Sequence, residues 1–325
     1  FDTSIGHDYA SMIEQRYRML HQTKEYKIPF DISVFNEITN GGLPRKTLSV
    51  ISASTGAGKT LFLCHCAARN FLAGRNVLYI TLEMAEERIS ERLDANILNM
   101  RVQDLHNLSL LEYSHRLNKI LEGCKGRLVV KEYPTASAGT TQFRALLNEL
   151  KLKKNFTPDI IYVDYINICS SSRFKVGAVN SYQYVKAICE ELRGLAIEYN
   201  IPIVSATQLN REGAASSDVG LKEISESHGL AMTVDILWAM IRTEELDEQN
   251  VVMFKQLKNR FSDMASKLRF VVGIDRSKMR LFDAETEIRM TKTRPILSGS
   301  PKDHDEYMNK ETDAGAFKRH SPQTH

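Results

Sequence analysis

A chain of 325 residues with 42% apolar side chains can bury one large α/β core with peripheral segments, or two small domains. Its 43 basic and 40 acidic residues leave a formal charge of +3, too little for whole-molecule attraction to polyanions, so any nucleic-acid surface must be local. Five cysteines, an odd number with no CxxC pair, argue against a disulfide or zinc framework and suit a reducing cytoplasm, and no apolar run of about 18 residues exists to span a membrane.

The chain starts at Phe1 without a methionine or a signal peptide, and reads as a fragment or processed form lacking an upstream domain. Asp8 to Thr23 carries Tyr9, Met12, Ile13, Arg16, Met19 and Leu20 at helical spacing, and Lys24 to Pro29 breaks the pattern. Residues 1–28 are therefore expected to form an amphipathic helix and arm. It would dock on a neighbouring subunit or pack on its own domain.

From residue 29 to 290 one domain is expected. Gly41-Gly42 and Pro44 mark a turn, Thr47 to Ala53 reads as a buried strand, and Lys59 to Ala73 as a helix stopped by Gly74. Strands are predicted at Asn76 to Leu82, Arg127 to Glu132, Asp159 to Ile166 and Ile201 to Thr207. Helices are predicted at Ala85 to Leu98, Thr141 to Lys154 and Val185 to Tyr199. This alternation predicts an α/β fold with a mainly parallel sheet and helices on both faces. Asp235 to Arg242, Asn250 to Asn259 and Lys267 to Ile274 read as strands without long helices between them, and are expected to form an antiparallel extension. Residues 291–325 are polar and are expected to be a flexible tail. No internal repeat is visible.

Ala53-Ser54-Thr55-Gly56-Ala57-Gly58-Lys59-Thr60 fits the phosphate-loop pattern except that Ala53 stands for the first glycine. It follows a predicted strand and opens a predicted helix, as that loop must. Gly56 and Gly58 would let the backbone turn and present N–H groups to phosphate oxygens. Lys59 would set a charge on the β- and γ-phosphates, and Thr60 would offer a hydroxyl to Mg²⁺. His65, between Cys64 and Cys66 on the same helix, is expected to pack in the core rather than bind metal.

Two strand ends add carboxylates. Ile160 to Val163 leads into Asp164, placed to hold Mg²⁺ through a water. Glu83 follows Val77 to Leu82 and would orient or deprotonate the attacking water, while Glu86 and Glu87 suit the first turn of a helix. Gln208 closes a third such strand, where its amide would touch the γ-phosphate or the water.

Together with Thr81-Leu82-Glu83-Met84, Asp164-Tyr165, Thr207-Gln208-Leu209-Asn210-Arg211 and Lys258-Asn259-Arg260, the phosphate loop completes an ordered set of blocks. Over roughly residues 8 to 284 the chain resembles the helicase domain of DnaB-type replicative DNA helicases, most closely the T4-type bacteriophage members. The phosphate loop and Asp164 blocks are generic, and the other three are more specific. The resemblance implies a RecA-like fold and a hexameric ring around single-stranded DNA. It implies 5′ to 3′ movement driven by ATP, GTP or another nucleoside triphosphate with Mg²⁺, and it implies action in the cytoplasm of a host cell if the source is a phage. It also implies that Lys258 and Arg260 reach the γ-phosphate of the neighbouring subunit, and that the helix at Asp8 to Leu20 packs on that neighbour. Primase, a helicase loader and a single-strand-binding protein are the partners it implies.

The DNA contacts implied lie on two loops. Ser170 to Tyr182 offers Arg173, Phe174 and Lys175; Arg211 to Gly229 offers Arg211, Lys222, Ser225, Glu226, His228 and Gly229. Backbone N–H groups and a few cations track phosphates without reading sequence. Bacterial relatives carry an arginine near the place of Ser225 and a glycine near that of His228. The alternatives are a RecA-like recombinase forming filaments, a nucleotide-gated scaffold that is no motor, and a circadian or transport ATPase of the same fold.

Overall fold

Leu48–Ala53, Val77–Thr81 and Ile160–Asp164 are buried along their whole length, as strands covered on both faces must be. The computed structural model describes residues 8–21, 26–209, 219–220, 227–264 and 267–284. In chain order its elements are α1 (Ile13–His21), β1 (Lys27–Ile28), α2 (Ser33–Ile38), β2 (Leu43–Pro44), β3 (Leu48–Ala53), α3 (Lys59–Leu72), β4 (Val77–Thr81), α4 (Glu86–Leu98), α5 (Val102–Leu105), α6 (Leu110–Leu121), β5 (Leu128–Glu132), α7 (Thr140–Lys154), β6 (Ile160–Asp164), α8 (Ser181–Tyr199), β7 (Ile203–Gln208), α9 (Ser227–Thr233), β8 (Ile236–Ile241), α10 (Glu244–Glu248), β9 (Val251–Asn259), β10 (Arg269–Asp275) and β11 (Arg280–Phe282). A nine-stranded sheet runs β11-β10-β9-β8-β3-β7-β6-β4-β5, and β1 pairs with β2 apart from it.

The six strands from β5 to β8 in that order are parallel, so their C-terminal ends share one edge. The remaining pairs, β8 with β9, β9 with β10 and β10 with β11, are antiparallel. Side chains alternate between faces along each strand. One face packs on α2, α3 and α4, the other on α7, α8 and α9. The first holds an aromatic knot in which Phe35 meets Trp238 and Phe254 edge to face, each at 5.1 Å, and Phe62 at 5.6 Å. Helix α3 is buried on every side from Leu61 to Ala68, as expected of a helix with apolar residues all round. Three helices, α4, α7 and α8, end on asparagines in the left-handed conformation, Asn99, Asn155 and Asn200.

Several expectations need correction. Asp235 to Arg242 reads in sequence as the start of the antiparallel part, yet β8 lies parallel to β3. A parallel strand needs a crossover, and the segment from Leu209 to Asp235, which includes α9, is long enough to supply one. The sheet turns antiparallel only at β9, reached through the short α10. Helices α5 and α6 and strand β11 have no counterpart among the elements predicted from sequence. Helix α8 starts at Ser181 rather than Val185, because the Asn180 side chain caps it by accepting from the Gln183 N–H.

His65 is buried, as expected, but in a polar network rather than against apolar groups alone. The Asn96 amide and the Leu281 N–H both donate to its Nδ1, at 3.1 and 3.3 Å. Its Nε2 therefore carries the proton and donates to Asp31 at 3.0 Å. Among the described residues no group of three His, Cys, Asp or Glu side chains is placed to hold a metal. No helix among them is long and apolar enough to cross a membrane. One compact unit ends at Ala284, and the tail expected from residue 291 lies outside the described residues.

Candidate active site

The C-terminal edge of the parallel strands opens into a cleft of about 390 Å³ lined by Thr55, Gly56, Gly58, Lys59, Thr60, Glu83 and Gln208, among others. The loop from Ser54 to Gly58 links β3 to α3. Gly56 and Gly58 have φ of +74° and +121°, values that side chains with a Cβ rarely adopt. A Cβ on Gly58 would also lie 3.0 Å from the Met240 side chain. Ala57 is buried and donates its N–H to the Ser54 carbonyl at 3.2 Å, which closes the turn. The loop delivers the first N–H groups of α3, which have no partners inside the helix, into the cleft.

Lys59 folds back, donating to the carbonyls of Ala53 and Ser54 at 3.2 and 3.1 Å. Burial lowers its pKa, and the carboxylates of Glu83 and Asp164 work against that shift. A lysine so placed has a negative surround and only carbonyls to hold it, so an incoming phosphate can take it over. Asp164, at the end of β6, is wholly buried. Burial pushes its pKa up to about 6; the neighbouring hydroxyls of Thr60 and Tyr79 oppose this, and Glu83 adds to it. The Tyr79 hydroxyl donates to Asp164 Oδ2 at 3.1 Å, while Oδ1 is buried with no hydrogen-bond partner. An orphaned carboxylate oxygen is costly unless something fills its place. Together with the Thr60 hydroxyl it fits a hydrated divalent cation.

Gln208 donates to the Thr55 hydroxyl at 2.7 Å, which ties the end of β7 to the phosphate loop. Several cleft residues are absent from the sequence reading. Arg92, Arg276 and Met279 line the cleft, as does Tyr165, which the sequence marks only as part of the Asp164-Tyr165 block. Arg276 donates to the Ala57 carbonyl at 3.0 Å and Arg242 to the Gly56 carbonyl at 3.1 Å. Asp247 of α10 accepts from both guanidiniums. No local motif marks these arginines; only the neighbouring positions of β8 and β3, and the fold of β9 and β10 beside them, bring them to the loop.

Lys258 and Arg260 lie elsewhere. Lys258 pairs with Leu237 at the start of β8, whereas Ala53, the last residue of β3, pairs with Met240 near its end. The basic pair thus sits at the opposite end of the strand from its own phosphate loop, at least ~10 Å along the sheet. Lys258 donates to the carbonyls of Ala231 and Met232 at 2.6 and 3.1 Å, and burial lowers its pKa, helped by Arg260. Arg260 is 42% exposed and pairs with buried Asp235 at 3.0 Å.

The first of the two loops expected to meet DNA is described and the second only in part. Arg173 is engaged by its own domain: it donates to Glu190 at 2.7 Å and to the Ala187 carbonyl at 2.9 Å, and lies 3.5 Å from Glu191. Lys175 is exposed, as are Phe174 and Val176. Arg211, Lys222, Ser225 and Glu226 lie outside the described residues, and His228 is described only as part of the α9 backbone. Gly229, also in α9, packs tightly on α8. A Cβ there would lie 2.8 Å from Lys186 and 3.1 Å from Tyr182, so close packing by itself accounts for the glycine.

A buried parallel sheet, a phosphate loop opening α3 and two strand-end carboxylates at one edge define a P-loop NTPase of the RecA-like class. The fold matches a solved ATPase domain with a TM-score of 0.70 at 17% identity, covering 85% of this chain and 99% of that one. It also matches a DnaB-like replicative helicase solved with attention to its interactions with primase, with a TM-score of 0.68 at 16% identity, covering 86% and 67%. The family model of the DnaB-like helicase C-terminal domain matches residues 28–294, and the chain belongs to that family. It is 42% identical to the DnaB-like replicative helicase of Enterobacteria phage T4 over 299 residues, covering 91% of this chain and 63% of that protein. Identity to the replicative DNA helicase DnaB of Treponema pallidum is 26% over 253 residues, covering 77% and 55%. The chain thus spans about half to two thirds of the length of these relatives.

Proposed function

We propose that this chain is the motor portion of a replicative DNA helicase, a nucleoside-triphosphate hydrolase that forms a hexameric ring and moves 5′ to 3′ on single-stranded DNA. The observation that carries this reading is the separation of the active groups. Lys59, Thr60, Glu83 and Gln208 line one cleft with Asp164 buried beside it, while Lys258 and Arg260 stand at the far end of β8, away from their own phosphate loop; on this reading they would serve the nucleotide of another subunit. An ATPase complete in one chain would need that pair only for its contacts with Ala231, Met232 and Asp235, not for catalysis.

In the proposed mechanism the N–H groups of Ser54 to Thr60 cradle the phosphates, and Lys59 leaves its two carbonyls for the β- and γ-phosphate oxygens. Thr60 and Asp164, the latter through water, would hold Mg²⁺, which neutralises charge on the phosphates. Glu83 orients the attacking water and accepts its proton. Gln208, already bonded to Thr55, reports the state of the γ-phosphate to the loop after β7. Arg260 and Lys258 of the adjacent subunit supply positive charge as the transition state forms. Single-stranded DNA, primase, a loader and a single-strand-binding protein are the proposed partners, with α1 docking on the neighbouring subunit.

The test is ATP hydrolysis by the purified chain, with and without single-stranded DNA, across protein concentration. Hydrolysis should rise cooperatively with concentration and increase strongly with DNA, and Lys59→Ala should abolish it. Activity independent of both would mark a self-contained ATPase, and an open filament on DNA in place of a closed ring would favour a recombinase.

A further inference from the structure

We infer that the Tyr79 hydroxyl is a positioning group for Asp164, fixing which oxygen of that carboxylate is left to meet the cation. The inference rests on the proposed role of Asp164 and extends it to a residue outside the phosphate loop and the strand-end motifs.

The register of the sheet places the group. Thr81 pairs with Asp164 and Tyr79 with Tyr162, so Tyr79 lies diagonally across from Asp164 on the face covered by α3. An aromatic side chain spans such a diagonal, and a shorter one does not. Tyr79 is wholly buried, and its ring stacks on that of Tyr162 with centroids 6.2 Å apart and planes 20° from parallel. The Tyr162 hydroxyl is itself held by the Asn70 amide at 2.6 Å. The phenol therefore has one place to stand.

Its hydrogen bonds fix a direction. A carboxylate only accepts, so the single proton of Tyr79 goes to Asp164 Oδ2, at 3.1 Å. The phenol oxygen is then free to accept, and the Cys64 thiol on α3 stands 3.7 Å away to donate. The chain from Cys64 through Tyr79 to Asp164 thus occupies Oδ2 from the protein side. Oδ1 is the oxygen left buried and unpartnered. With Oδ2 occupied, the carboxylate cannot exchange its oxygens by rotation without breaking a charge-assisted bond. A tyrosine present only to fill the core would do its work equally well as phenylalanine, which keeps the ring and loses the hydroxyl.

The experiment compares wild type, Tyr79→Phe and Asp164→Asn in the full chain. Mn²⁺ affinity is read by electron paramagnetic resonance in the ADP complex, alongside ADP affinity without metal and the Mg²⁺ dependence of hydrolysis. Tyr79→Phe should weaken Mn²⁺ binding about tenfold and raise the Mg²⁺ concentration for half-maximal rate by a similar factor, as expected for loss of one hydrogen bond to a charged group. Its kcat at saturating Mg²⁺ should stay within about twofold of wild type, and metal-free ADP binding should not change. If Asp164→Asn weakens Mn²⁺ binding and Tyr79→Phe does not, the positioning role is wrong while the assignment of Asp164 stands. A drop in kcat with unchanged Mn²⁺ affinity has the same meaning. If neither variant alters Mn²⁺ affinity, Asp164 is not the cation's carboxylate and both readings fall.

Discussion

Single residues near the nucleotide cleft divide by how far in sequence their partners lie. Lys59, Thr60 and Asp164 are legible as neighbours at one strand edge because each position is written into a short strand-loop-helix or strand-end pattern. Arg242 and Arg276 are not. Each bonds a carbonyl of a loop that lies far away in sequence, across a strand order no local pattern encodes. Arg173 and Lys175 look equivalent in sequence as cations of one loop, and the structure separates them. Arg173 is committed to Glu190, Glu191 and the Ala187 carbonyl, whereas Lys175 is exposed. Lys175→Ala should therefore weaken single-stranded DNA binding and reduce the salt slope of log K by about 0.7, the share of one phosphate contact. Arg173→Ala should instead loosen the loop, seen as faster proteolysis between Ser170 and Asn180, with an unchanged salt slope. Equal changes of slope in the two variants would mean that Arg173 leaves its carboxylates for phosphate.

At the scale of elements, α3 joins the nucleotide to the core. Its first turn holds Lys59 and Thr60; its second and third are buried among Phe35, Trp238 and the His65 network. The apolar pattern foretells a buried helix. It does not foretell the polar network, because Asp31, Asn96 and Leu281 reach His65 from three separate segments. That network gives α3 a pH response. Burial holds the His65 pKa below its ordinary 6.5, against the pull of Asp31. Below pH 6.5 the unfolded chain binds a proton that the folded chain refuses, so this group destabilises the fold as pH falls through that value. Asp164 acts in the other sense: its folded pKa of about 6 exceeds the ordinary 3.8, so the folded chain takes up that proton first and gains as pH falls through 6. Comparing melting temperatures of wild type and His65→Gln between about pH 7.5 and 5.5 separates the two. The variant should melt lower at neutral pH but lose less on acidification. Parallel curves would show that His65 does not titrate in this window.

For the whole molecule, the alternation of strands and helices foretells the parallel sheet, and the antiparallel end is foretold except that β8 lies parallel to β3 and β11 is missed. Strand β8 misleads because no long helix can be read from sequence between Thr207 and Asp235, and a long helix is the usual signal of a parallel connection. The proposed sharing of an active site between subunits is suggested in sequence by family resemblance alone, since no pattern within one chain reveals what a second chain will touch. The sheet register is consistent with that proposal. Arg260 and Lys258 cannot serve the phosphate loop of their own subunit. Helix α1 and the turn before it leave Tyr9, Ile13 and Tyr17 exposed, with nothing in the described residues burying that stripe. A stripe of this kind suits head-to-tail contact, in which one surface of each subunit meets a different surface of the next and the series closes into a ring.

The most direct measurement mixes two inactive variants, Glu83→Gln and Arg260→Ala, and follows ATP hydrolysis in the presence of single-stranded DNA. Each alone should be nearly inactive while binding nucleotide almost as wild type does. In a shared site, some interfaces of the mixture join an intact Glu83 from one subunit to an intact Arg260 from the next. Hydrolysis should then reappear and peak near equal proportions. If every ratio stays as inactive as the separate variants, although mixed assemblies form, Glu83 and Arg260 do not act on one nucleotide from two chains, and the account of this protein as a ring motor with shared sites is wrong.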